Sequence, residues 1–106
     1  MDLIEQLGAL HHALHQDVTF ADPAAWRAAL DGIGKALDQE PGIDKFDRET
    51  LAVMRTKIEA LIAELEKGTG EPDFVPARTW VAALGTAIHR RREAARRPAN
   101  DHGRVH

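Results

Sequence analysis

Cysteine, serine and tyrosine are all missing from this chain of 106 residues. Without cysteine there can be no disulfide, thiolate zinc site, iron–sulfur cluster or cysteine nucleophile. The missing serine and tyrosine remove serine acyl transfer and tyrosine acid–base roles as well. Long apolar runs are also absent, and the few-residue runs present fall far short of the roughly 20 needed to span a bilayer. The sequence opens Met1-Asp2 with no basic region, so no secretory signal, no membrane and a cytoplasmic location are expected. No strand-length alternation of apolar and polar residues occurs, and Val, Ile and Thr are not clustered.

What is present fits a globular chain: 43% hydrophobic and 29% charged residues, a balance outside the disordered class. The length suits one domain, expected over residues 1–97, with a flexible tail over 98–106 that has almost nothing to bury. Alanine leads with 18 positions, and ten arginines stand against four lysines, a usage associated with GC-rich bacterial, phage or plasmid genomes. Charge is unevenly placed. Residues 1–76 hold 15 acids and 7 bases, whereas residues 77–106 hold 2 acids and 7 bases. The net charge of −3 therefore conceals an acidic body with a basic end.

Four helical stretches are predicted. The first runs from about Leu3 to Asp17, opened by Asp2 with Glu5 three residues on, and striped by Leu3, Leu7, Leu10 and Leu14 with Ile4 and Val18. The second spans about Pro23 to Gln39. Asp22 caps it, Pro23 suits its first position, and Trp26, Leu30, Ile33 and Leu37 form its stripe. Gly32 and Gly34 weaken this helix and admit a close backbone. The third, about Arg48 to Lys67, takes Asp47 as its N-cap and Phe46 as a staple onto Leu51. Its stripe of Leu51, Met54, Ile58, Leu61 and Leu65 ends at Gly68. After an acidic Gly/Pro connector, the fourth runs from about Pro76 to Arg96 with Trp80, Leu84, Ala87 and Ile88 inward, and Pro98 closes it. The expected fold is all-α, a small antiparallel bundle of four helices with the third the longest.

No catalytic constellation emerges, and no cofactor is expected. There is no Glu-x-x-His pair, no His-Glu-x-x-His, and no glycine-rich phosphate loop. His11 and His15 share a flank of the leucine stripe at i, i+4, a spacing that can hold a transition metal once a third ligand joins. Histidines bordering a core are the commoner account. Arg90, Arg91, Arg92, Arg96 and Arg97 could bind phosphate through their planar forks, yet they spread around the helix and no aromatic is interleaved for base stacking. Asp31, Asp38, Asp44 and Glu49 belong to an acidic cluster around the second connector that could dock on a basic protein surface. Phe74 is apolar in an otherwise polar loop. It either lids the core or anchors a partner.

The expectation is a non-catalytic protein-binding module, a small regulator or inhibitor that occludes a partner's surface. Anti-CRISPR-type inhibitors share this general character, although no motif carries the likeness. Its contacts would come from Asp31, Asp38, Asp44, Glu49 and Phe74, and it would act as a monomer or homodimer. The alternative is nucleic-acid binding through the five arginines. A metal-responsive bundle through His11 and His15 stands third.

Overall fold

A computed structural model describes residues 1–68 and 70–96 of the chain. The expected tail, the stop at Pro98 and Arg97 all lie outside the described residues. Four helices form a bundle: α1 over Leu3–Ala13, α2 over Pro23–Gln39, α3 over Lys45–Lys67 and α4 over Val75–Arg96. A single 3₁₀ turn, Val18–Phe20, interrupts the connector between α1 and α2. The helices pack as a ring in which α1 touches α2 and α4, and α3 touches α2 and α4. Among the described residues there is no strand, and no helix is long and apolar enough to cross a membrane.

The ring follows from four apolar stripes, each spaced by threes and fours so that it stays on one helical face. Leu3, Leu7, Leu10 and Leu14 are buried from α1 and its end, and Trp26, Leu30, Ile33 and Leu37 from α2. Met54, Ile58, Leu61 and Ile62 come from α3, and Ala77, Val81, Leu84 and Ile88 from α4. At roughly 1.5–3 kcal/mol per large side chain removed from water, this one cluster dominates stabilisation of the fold.

Both ends of the ring carry their own fastening. At one end the start of α1 and the end of α2 meet the last turns of α4, because Arg92 reaches Asp2 and Glu40. The start of α3 joins them through Arg91, which pairs with Asp44 and Asp47. At the other end, Arg78 near the start of α4 donates to the carbonyl of Leu14 at 3.3 Å. Phe74, just before α4, meets Trp26 of α2 edge to face with ring centroids 6.1 Å apart.

Two helix boundaries and one apolar stripe differ from the sequence expectation. The first helix stops at Ala13, not Asp17. Asp17 spends its carboxylate on the Thr19 amide at 3.4 Å and opens the 3₁₀ turn, a local bond that competes with helix continuation. Val18 is consequently about half exposed (48%) rather than part of the stripe.

The third helix starts at Lys45, one turn before Arg48, with Asp44 as the N-cap. Asp44 accepts from the Asp47 amide at 3.0 Å while Asp47 accepts from the Asp44 amide at 3.1 Å. That reciprocal pair satisfies two end donors where a cap at Asp47 would satisfy fewer. Phe46 then lies inside the first turn, 64% exposed, and is no staple. In α4 the inward stripe is Ala77, Val81, Leu84 and Ile88, leaving Trp80 and Ala87 partly buried on its flank.

Candidate functional site

Long side chains at charged positions sample many conformations unless an opposite charge holds them, so the ion pairs decide which charges remain open to a partner. Arg92 is held most completely. Its Nε and Nη2 donate to the two Glu40 oxygens at 2.8 and 2.7 Å, and Nη1 and Nη2 donate to both Asp2 oxygens at 2.9 Å. Two carboxylates thus take both edges of one planar fork, the geometry that suits arginine and not lysine. The Arg92 guanidinium holds the Asp2 carboxyl down to about 2 and lowers Glu40, while the same bonds raise Arg92 itself.

Beside it, Arg91 Nη1 sits 2.5 Å from Asp47 Oδ2, without hydrogen-bond alignment. Arg91 Nη2 lies 3.6 Å from Asp44. Asp44 is lowered chiefly because its carboxylate accepts the Asp47 amide. Asp47 is wholly buried, unlike the exposed Asp44 beside it. Gly42 packs against the Arg91 side chain that faces Asp47: its φ of +78° suits glycine, and a Cβ there would come within 3.1 Å of the Arg91 side chain.

Among the remaining arginines, Arg96 pairs with Glu93 at 3.1 Å. Arg90 is exposed, and no ion pair forms to it among the described residues.

The four acids singled out from the sequence are exposed but engaged. Asp31 receives Arg55 at 3.3 Å, Asp38 receives Arg48 at 2.6 Å, Asp44 receives Arg91, and Glu49 lies 3.9 Å from Lys45. Two of these belong to a line of pairs between α2 and α3, completed by a two-pronged Arg27–Glu59 pair at 2.9 and 2.8 Å. Moving along α2 from position 27 to 31 to 38, the partner on α3 steps back from 59 to 55 to 48. The line is a charged seam closing that side of the ring, and the acids sit in it singly. They do not converge on one spot.

Phe74 is partly buried against the core cluster with Trp26. His11 and His15 do stand together, ring centroids 4.6 Å apart and edge to face. Loss of hydration, with the positive charges of Arg78, His11 and His12, lowers the pKa of His15. Among the described residues, no group of three or more His, Asp or Glu side chains could hold a metal ion.

The opposite side of the ring, between α1 and α4, is built differently. A groove of about 420 Å³ runs there. Leu7 and Val81 form part of its floor with Ile4 and Ala82 beside them, and His11, Thr86, His89 and Arg90 stand along its margins. At its centre Gly8 of α1 and Gly85 of α4 both line the opening. A Cβ at either glycine would meet nothing within 4 Å, so the packing of the bundle does not require glycine there. Each glycine nevertheless costs its helix about 0.8–1 kcal/mol relative to alanine. Gly32 differs, because a Cβ there would press on the Gln6 side chain at 2.8 Å.

Gly8 and Gly85 escape a stripe-based reading, which looks for what a helix buries. The signal that finds them is a glycine in mid-helix with no turn, cap or packing partner to explain it. No family model, curated protein or solved structure matches the chain.

Proposed function

We propose that this chain is a non-catalytic protein-binding module, a small cytoplasmic regulator that acts by covering part of a partner's surface, and that the α1–α4 groove is its contact face. One observation carries the reading. Two helices each give up stability at a glycine that nothing inside the molecule demands, and both glycines open onto the same apolar groove. Sites that break a local folding rule without an internal reason are where function is expected. The charged residues argue in the same direction. The acids of the α2–α3 seam are engaged by Arg27, Arg48 and Arg55, and Arg91, Arg92 and Arg96 are engaged by other carboxylates, so their capacity to attract a partner is largely used within the fold.

Filling the groove tests this. The wild type and a Gly8→Leu/Gly85→Leu variant, each verified as helical by circular dichroism, are used as bait in a GC-rich bacterial lysate at low and moderate salt, with and without nuclease. A protein retained through nuclease treatment by the wild type, and lost with the variant, is the expected result. A partner retained equally by both sinks the reading. Loss of all retained material on nuclease treatment transfers the function to nucleic acid, with Arg90 as the first group to replace.

A further inference from the structure

The chemistry of the groove margin restricts what can lie in it. His11, His89 and Arg90 are its titratable members, and no carboxylate is among the residues that line it. Arg90 is the cation best placed to meet an incoming charge. It lines the groove, is exposed, and no ion pair forms to it among the described residues. The margin can carry positive charge only, around an apolar floor.

Shape narrows the occupant further. On α1 the lining runs from Ile4 to His11 and on α4 from Val81 to Arg90, about two turns of each helix or roughly 10–14 Å. A trough between two helices, of that length and with a low centre, is the setting in which an amphipathic helix presses anchors spaced i, i+3 or i+4, and i+7 into a groove. A second copy of this chain suits it poorly. A twofold contact would set each patch on its own image, bringing Arg90 and the two histidines against the same groups.

We propose that the groove takes an acidic amphipathic helix of a partner protein, whose apolar anchors enter over Gly8 and Gly85 and whose carboxylates face Arg90 and the margin histidines. This inference rests on the groove being the contact face and adds the chemistry of the partner.

The test uses two synthetic peptides with leucines along one face of a helix. One carries glutamate on the remaining positions, the other lysine. Binding to the full chain is followed by fluorescence anisotropy and by amide chemical shifts. The glutamate peptide is expected to bind at least about tenfold more tightly than the lysine peptide. Its shifts should be confined to α1 and α4, and Gly85→Leu should abolish binding. Arg90→Glu should weaken the glutamate peptide by about tenfold or more while leaving the circular dichroism unchanged.

Equal binding of both peptides, or binding of neither, overturns the acidic-helix assignment. So does concentration-dependent self-association that Gly85→Leu removes. These outcomes are separable from failure of the parent reading. A partner captured only by the open groove, alongside a glutamate peptide that does not bind, rejects the acidic helix alone. Capture indifferent to groove filling rejects both.

Discussion

A glycine in the middle of a helix has no Cβ to restrict its unfolded states and none to pack in the folded one. Gly8→Ala and Gly85→Ala should therefore each raise the stability of the isolated protein by about 0.5–1 kcal/mol, read as a higher urea midpoint with unchanged slope. Destabilisation by either change would mean that the helices approach more closely in solution than the open Cβ positions imply. Asp47 lies at the other extreme. It is wholly buried, accepts the Asp44 amide and faces Arg91. Asp47→Ala should cost about 2–4 kcal/mol, because it removes half of the capping pair and leaves a cation short of its nearest carboxylate. Phe74→Ala should cost about 1–3 kcal/mol and shift tryptophan emission to the red as Trp26 loses its edge-to-face cover. An unchanged spectrum and midpoint would show that the ring does not lid the core in solution.

Among the elements, the stripes were the legible part. Leu3 to Leu14, Trp26 to Leu37 and Met54 to Leu61 all recur at helical spacing and are all buried, since burial and periodicity are one fact seen in two ways. Helix ends were harder to read. Two aspartates three residues apart can each cap, and the spacing alone did not reveal that they cap reciprocally from Asp44, nor that Arg91, 44 positions beyond Asp47, comes alongside it in the fold. Acid pairings were illegible for the same reason. Asp31 and Asp38 look like an open patch until α3 brings Arg55 and Arg48 alongside.

That seam has an experimental signature. Exposed pairs of this kind typically contribute less than about 1 kcal/mol each and are screened by salt. Double-mutant cycles should accordingly give a larger coupling for the two-pronged Arg27–Glu59 pair than for Arg55–Asp31, and both should shrink as salt is added. Reversing Asp31, Asp38, Asp44 and Glu49 together should lower the melting temperature. Any loss of partner binding in that variant would therefore need to be separated from loss of fold.

At the scale of the whole molecule, one end gathers all four helices around two arginines. Asp2 caps α1, Glu40 follows α2, and Asp44 and Asp47 start α3, while Arg91 and Arg92 belong to α4. A carboxyl whose pKa is lowered by folding stabilises the native state above its unfolded value, and that contribution is lost as the pH falls through the folded one. For Asp2 the window runs from 3.8 to about 2, and Glu40 and Asp44 are lowered in the same direction. Stability should thus fall steeply below about pH 4, measured as urea midpoints across an acid series. Arg92→Ala should flatten that fall by returning Asp2 and Glu40 towards ordinary values. An equally steep acid limb in the variant would refute the assignment.

The two opposite sides of the ring should also leave different historical records. Along the α2–α3 seam a substitution that flips one sign is repaired by flipping its partner. Relatives of this protein should therefore exchange charge in matched pairs at positions 27 and 59, 31 and 55, and 38 and 48. Across the α1–α4 side no internal partner answers for Gly8 or Gly85. Drift at those two sites would be checked only by whatever molecule occupies the groove, so lineages that lost it should be the ones to acquire alanine there.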